Sequence, residues 1–339
     1  MTAADFPEAG QLYPLKFKPV YQERIWGGTL MQEVLHRELP ETAQPIGEAW
    51  EISDREGAES VVANGVLEGR TLQELLAYYG TALTGGRERF ARFPLLVKLI
   101  DAGERLSLQV HPDEVTCRSL GEGAEPKTEM WYIIAARRNG CILAGLDPRA
   151  TLVQTKELLH SPEVEQMLRK HPSVPGDGYF IPSGTLHAIG AGNLILEIQQ
   201  NSDTTYRLSD WGRVDADGKA RELHVEKGLM SVHFTDRSNP RIAGVSDKAA
   251  HNRKFPLVKQ CRHFTVDDLR LTGTWHDSTQ NGSFHLLSCV GGEVRIVLAN
   301  GAETRLLMGE TALIPYACGS YRIIPDDMDG TAAVIRTTL

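Results

Sequence analysis

In the stretch SLQVHPDE, residues 107–114, polar side chains able to bind a metal or a hydroxyl-rich ligand recur at every second position: Ser107, Gln109 and His111. An extended chain alternates its side chains between two faces, so these three share one face and Leu108 and Val110 share the other. A second segment, GDGYFIPSGTLHAIGAGN, has the spacing G-x5-P-x-G-x2-H over Gly176, Pro182, Gly184 and His187. Gly103 precedes Gln109 by six positions, which gives the first segment the related form G-x5-Q-x-H. A single histidine at a strand end is usually a satisfied structural residue. Two at related spacings favour metal ligation, because a neutral imidazole is a good donor to a borderline cation.

Other charged residues stand where chemistry could use them. In LEIQQNSDTTYRLSDWGR, Glu197 and Gln199 share one strand face, opposite Leu196 and Ile198, and Arg207 and Arg213 follow in a polar segment. Arginine stays protonated, with a pKa above about 12, so it serves to clamp a phosphate or to stabilise negative charge developing on oxygen. Lys127 stands two residues before Glu129 in PKTEMWYII. It can act as a point charge, or move a proton if its pKa is lowered. His171, His224 and His285 have no partner spacing and read as structural or surface residues, and Trp26 and Trp131 read as packing residues.

These side chains need elements to hold them. FPLLVKLIDA, RLSLQVH, EMWYIIAA, GYFIP, NLILEIQQ and VRIVLANGAETRLLM are short aliphatic or β-branched runs bounded by Gly, Pro, Asn or Asp, the pattern of strands. Asn300-Gly301 inside the last marks a hairpin turn. Short strands with frequent turns predict a sandwich or barrel. TLQELLAYYG predicts a helix with Leu72, Leu75, Leu76 and Tyr79 on its buried stripe, a Thr71–Glu74 capping box and Gly80 as the stop. Another helix starts near Thr151, and a further one restarts at Ser161-Pro162 with Val164, Met167 and Leu168 buried. Residues 235–255 are polar and aperiodic and read as a connection between a larger N-terminal region and a C-terminal β domain.

Bulk properties narrow the classes of function. The 339 residues are 41% hydrophobic and 24% charged, enough to bury a sizeable core. A formal net charge of -8 argues against nucleic-acid and anionic-membrane partners, though a local group of Arg and Lys can still hold a small anion. Five scattered cysteines without a CxxC pair suit reduced thiols. The start, MTAADFPEAG, lacks the charged and apolar regions of a secretory signal, and no run of about 18 apolar residues could span a bilayer. A soluble, cytoplasmic protein is expected. GTALTGG lacks the Lys-Ser/Thr of a P-loop.

The two glycine–histidine segments resemble the cupin superfamily, in which such strand pairs bring a metal-binding cluster into a small jelly-roll barrel. The family pattern has His where Gln109 stands. The set Gln-x-His, Lys-x-Glu and Gly-Thr-Leu-His further resembles class I mannose-6-phosphate isomerases in their short bacterial form. That likeness covers most of the chain, including YQERIWGG (21–28), GEAWEIS (47–53), PLLVKLIDA (94–102), PKTEMWYII and LEIQQNSDTTYRLSDWGR. It implies a mainly β fold of two jelly-roll, cupin-like barrels with a small accessory helical layer. A catalytic domain would cover 1–240, with helical insertions near 70–92 and 150–171, and a degenerate barrel 250–339.

The resemblance implies one Zn²⁺ per chain held by Gln109, His111, Glu129 and His187, with Arg207 and Lys127 catalytic and Ser107, Glu197 and Arg213 on the substrate, a sugar phosphate. Two imidazoles and a carboxylate suit zinc with an open position, and a neutral amide leaves the site more positive than a third anion would. The implied activity is interconversion of mannose 6-phosphate and fructose 6-phosphate by proton transfer between C1 and C2. Lys127, Glu197 and a metal-bound hydroxide all stay open as the base, and the number of subunits also stays open. The competing readings are a non-catalytic sugar-phosphate-binding or regulatory cupin and an iron-dependent cupin oxygenase. In the C-terminal region GETALIPYACGS keeps Gly309 and Pro315 at G-x5-P but places Ser320 where the cupin His would fall, so no metal site is expected there.

Overall fold

The computed structural model describes residues 6–87, 89–121, 123–159, 161–214, 218–244, 251–326 and 330–339. Strands dominate, arranged in antiparallel sheets with few and short helices. The chain divides into two compact units that are not consecutive in sequence: Tyr21–Ala49 with Lys98–Val245, and Met1–Val20 with Trp50–Val97 and Ser246–Leu339. The expected division at 240–250 is sequential, and the two differ for a physical reason. The N-terminal strand Leu15–Lys18 pairs antiparallel with Thr311–Ile314, opposing Leu15 to Leu313, and so belongs with the C-terminal strands. Residues 245–250 of the expected connection lie outside the described residues.

The unit that contains His111 and His187 has two sheets. One has seven strands in the order Arg241–Ile242, Gly178–Ile181, Glu129–Ala136, Asn193–Gln200, Leu95–Ala102, Ile46–Ile52 and Val20–Glu23. The other has five, in the order Tyr206–Ser209, Leu108–Val110, His187–Ile189, Cys141–Leu146 and Leu168–Pro172. Trp131, Ile133, Tyr179 and Ile195 from the first pack with Ile142, Ala144 and Ile189 from the second in one apolar cluster. The opposite face of the five-stranded sheet, including Leu108, Val110, Leu143, Ala188 and Leu208, packs in a separate cluster with Leu159, Val164 and Val232. The period-2 reading of residues 107–111 follows from this. Apolar side chains face the outer cluster, and polar ones face the space between the sheets.

The other unit repeats the plan with a seven-stranded and a four-stranded sheet, whose inward residues, among them Leu269, Leu287, Ile314, Val294, Ile296 and Ile323, share one core. Val294–Leu298 and Glu303–Leu306 pair across the Asn300-Gly301 turn, where Gly301 has φ +86°. The helix Leu72–Tyr79 carries the expected capping box: Glu74 N donates to Thr71 Oγ1 at 3.1 Å, and Thr71 N donates to Glu74 Oε2 at 2.8 Å. It belongs to this unit and not to the one with the histidines. Thr151 caps the helix Leu152–Leu158. The restart at Ser161 forms a 3-10 helix, Pro162–Met167, and the strand Leu168–Pro172 follows where helix was expected through 171. Pairing with Cys141–Leu146 decides that conformation, and propensity within the segment does not report it. All five cysteines are free thiols. Among the described residues no helix is long and apolar enough to cross a membrane.

Candidate metal centre and active site

Backbone pairing brings the two histidine segments together. His187 opposes Gln109 on one side of the strand Leu108–Val110, and Arg207 opposes Gln109 on the other. Opposed residues on neighbouring strands point to the same face, so His187, Gln109 and Arg207 line up across the five-stranded sheet. Gly184 N donates to His111 O at 2.8 Å, tying the turn before His187 directly to the other histidine. That turn requires glycine. Gly184 has φ +86°, and a Cβ there would lie 2.4 Å from the His233 ring. Glu129 comes from the facing sheet, where its strand neighbours Asn193–Gln200 and opposes it to Gln199.

His111, Glu129 and His187 are fully buried, and ligand atoms of all three lie within 4.8 Å of one another. Their hydrogen bonds leave the inner atoms open. His111 Nδ1 is 2.8 Å from Thr204 O, and His187 Nδ1 is 2.8 Å from Thr185 O. A ring nitrogen against a carbonyl must be the protonated one, so both Nε2 atoms carry a free lone pair. Both Nε2 atoms and both Glu129 oxygens are buried without a hydrogen-bond partner. Lys127 Nζ lies 2.8 Å from Glu129 Oε2, an ion-pair distance without hydrogen-bond alignment. Buried polar atoms are normally hydrogen-bonded, so four without a hydrogen bond, grouped this closely, make a socket suited to a cation. Burial, the largest influence on each ring, holds both histidines below the usual imidazole range, His187 down to about 3, which keeps them neutral and able to ligate. Burial would raise the Glu129 pKa, but Lys127 and the two histidines outweigh it and hold the carboxyl well below its usual range.

The cluster borders a cavity of about 420 Å³ lined by Ser107, Gln109, Lys127, Glu197 and Arg207 among others. Glu197 is buried, accepts from Trp131 Nε1 at 3.1 Å, and lies 3.8 Å from both Lys98 Nζ and Lys127 Nζ. Burial first, and Glu129 among its neighbours, raise its carboxyl to about 7 against the pull of the two lysines. Burial would lower the Lys127 pKa, but Glu129 and Glu197 dominate and raise it. The lowered lysine pKa that would suit proton transfer is therefore not what this pocket produces. Arg207 donates through Nη1 to Glu222 O at 2.7 Å, and its Nε is buried without a partner. Arg213 is placed differently. It donates to Asp210 Oδ1 at 2.7 Å and Arg105 O at 2.9 Å, and it is not among the residues that line the cavity.

Residues 14–137 match the family model described as phosphomannose isomerase type I, catalytic domain. The chain is 36% identical over 310 residues to mannose-6-phosphate isomerase ManA of Bacillus subtilis, covering 91% of this chain and 95% of that protein. The chain belongs to the type I phosphomannose isomerase family. That places it among the aldose–ketose isomerases. The mannose-6-phosphate isomerase of Streptococcus mutans is 32% identical, over 92% of this chain and 96% of its own length. A crystal structure of the mannose 6-phosphate isomerase from Bacillus subtilis superposes with a TM-score of 0.84 at 33% identity, covering 97% of this chain and all of that one.

Sequence reasoning missed five charged residues on the cavity wall: Arg24, Glu48, Lys98, Asp203 and Arg221. Arg24 holds Glu48 through two bonds of 3.1 Å. A signal existed for Lys98, which interrupts the apolar run LLVKLI and is buried, a combination lysine adopts almost only when paired. Arg221 lies in a polar stretch where nothing marks it. Trp26, read as packing, is buried in the core and also lines the cavity.

Proposed function

We propose that the chain is a zinc-dependent mannose-6-phosphate isomerase that moves a proton between C1 and C2 of its substrate. The observation that carries this reading is the convergence of His111 Nε2, His187 Nε2 and the Glu129 carboxylate, none of them hydrogen-bonded, beside a cavity whose wall presents Lys127, Glu197 and Arg207. Two imidazoles and a carboxylate fit zinc, and Gln109, opposed to His187, would complete the set through its amide oxygen. A zinc ion bound there would supply Lewis-acid polarisation of the sugar oxygens and so ease loss of the neighbouring carbon-bound proton.

The remaining chemistry falls to the side chains. Glu197 is a buried carboxylate on the wall that the metal cluster does not use and that, unlike Glu48, is not held by an arginine, and Trp131 fixes its orientation. It removes the proton from C2 of the aldose, leaving an enediol-like intermediate, and returns it to C1 while the O2 hydroxyl proton passes to O1, which gives the ketose. Arg207 lies beside Gln109 with its Nε unsatisfied, and it stabilises the negative charge that builds on oxygen as the C–H bond breaks. Lys127 stays charged, holds Glu129 in place and bears on Glu197 from 3.8 Å. Ser107, buried on the cavity wall, offers a hydroxyl to the sugar.

A coupled assay on mannose 6-phosphate, with and without chelator, tests the reading. Turnover lost with chelator and restored by zinc supports it. Turnover that persists in metal-free protein overturns the zinc role, and sugar-phosphate binding without turnover would instead favour a non-catalytic binding protein.

A further inference from the structure

Residues 201–205 cross from the strand Asn193–Gln200 in the seven-stranded sheet to Tyr206–Ser209 in the five-stranded one and belong to neither. No strand ladder satisfies their backbone, so side chains must. The fully buried Gln199 donates through Nε2 to Ser202 O at 2.6 Å and to Gln200 O at 2.9 Å. Two carbonyls at one end of the amide settle which end carries the nitrogen, and Gln199 Oε1 is buried with no hydrogen-bond partner. The buried Ser202 continues the chain of bonds. Its Oγ accepts from Thr204 N at 3.2 Å and donates to Glu125 O at 3.2 Å. Thr204 Oγ1 accepts in turn from Glu125 N at 3.0 Å, and Thr204 O is the carbonyl that meets His111 Nδ1. Asp203 and Thr205, on either side of it, line the cavity.

We propose that Gln199 and Ser202 are positioning residues: they hold residues 201–205 as a bracket that sets Thr204 O against His111 and so presents the His111 Nε2 lone pair before a metal arrives. The assignment rests on the reading of His111 as a ligand and names what holds that ligand in place. A carbonyl fixes the tautomer and direction of an imidazole only if the carbonyl is itself fixed, and Thr204 O sits in a segment without a ladder. The bonds from Gln199 through Ser202 to Thr204 supply what the ladder does not. They also reach Glu125, just before Glu129, so one bracket ties the His111 side of the cluster to the segment that leads to its carboxylate. Gln199 itself opposes Glu129 on the neighbouring strand. His187 offers a contrast. Its ring is held by Thr185 O, within the turn closed by the bond from Thr185 N to Pro182 O, and this bracket does not reach it.

The test uses the full chain carrying Gln199→Met, which keeps the length and loses the donors, or Ser202→Ala, which removes the hydroxyl. Zinc affinity is read by competition with a chromophoric chelator. Histidine tautomers are read in metal-free protein by NMR of the ring nitrogens, with His111 identified by the signals lost in His111→Asn. Each variant is expected to weaken zinc binding by about tenfold to a hundredfold, the usual loss when a group behind a ligand is removed, and to mix the His111 tautomers. The double variant should cost little more than the larger single one, because both side chains serve one chain of bonds. The His187 tautomer should stay single, since Thr185 O holds it independently. Mixing in both rings would mean general loosening and overturn the assignment. Wild-type zinc affinity or an unmixed His111 ring in folded Gln199→Met, or in Ser202→Ala should that variant not fold, also overturns it and leaves the isomerase reading intact. If wild-type protein holds no zinc, the zinc reading fails, and the His111 ring alone then decides whether the bracket stands.

Discussion

Each candidate ligand side chain depends on what holds its far side. Thr204 O and Thr185 O fix the tautomers of His111 and His187, so the Nε2 lone pairs face Glu129 in the absence of any ion. Removing a ligand and removing the proposed base should therefore separate cleanly. His187→Ala is expected to lower bound zinc, and unchanged stoichiometry would contradict ligation. Glu197→Gln should keep zinc and lose roughly a hundredfold or more in kcat, the usual contribution of a positioned acid or base; near-normal turnover would remove Glu197 from the mechanism. Burial also makes the metal-free protein pH-sensitive. His187 falls from 6.5 to about 3 on folding, so below about pH 6.5 the unfolded chain takes up a proton that the folded one refuses. Its contribution to stability is complete above that pH and is lost as pH falls toward 3, by up to about 1.4 kcal/mol per pH unit from this site. Melting temperatures of metal-free protein between pH 7.5 and 5 should fall accordingly, and a flat profile would argue against a buried neutral ring.

A strand of three residues, Leu108–Val110, links site and core, because its two faces do different work. Leu108 and Val110 are buried in the outer apolar cluster, and Gln109 between them faces the cavity with His187 and Arg207 as its lateral neighbours. Leu108→Ala should cost about 2–5 kcal/mol, as buried leucine truncations do. It should also weaken zinc binding by loosening the strand that leads to His111. Chemical denaturation beside a metal titration checks both, and loss of stability with unchanged zinc affinity would uncouple the strand from the site. The alternation that builds this strand was legible from residue types alone. The strand Leu168–Pro172 was not, since RKHP has no apolar alternation and is extended because Cys141–Leu146 offers it a partner edge. Long-range pairing overrode local pattern there.

The two units share a plan of paired sheets but differ inside. In the unit with the C-terminal strands several buried polar groups pair with each other, though Arg336 Nε and Asp268 Oδ1 have no hydrogen-bond partner: His285 Nδ1 meets Tyr321 Oη at 2.6 Å, and Arg336 binds both Asp267 and Asp277. Among the described residues the only group of three or more His, Cys, Asp and Glu ligands is His111, Glu129 and His187. Zinc measured on the purified protein should accordingly approach one ion per chain. A second tightly held ion would mean that the other unit binds metal after all.

Residue types and spacing were enough to determine the mainly β class, the two histidine segments, the helix cap at Thr71 and the family, because these depend on alternation and on motifs that lie within a few residues. The tertiary structure alone decided which distant groups meet. It put Leu15–Lys18 with the C-terminal strands, drew Arg24, Glu48, Lys98 and Arg221 to the cavity, and turned Arg213 onto Asp210. Pairings between residues dozens or hundreds of positions apart are set by the burial and charge balance of the whole chain, which no local stretch of sequence records.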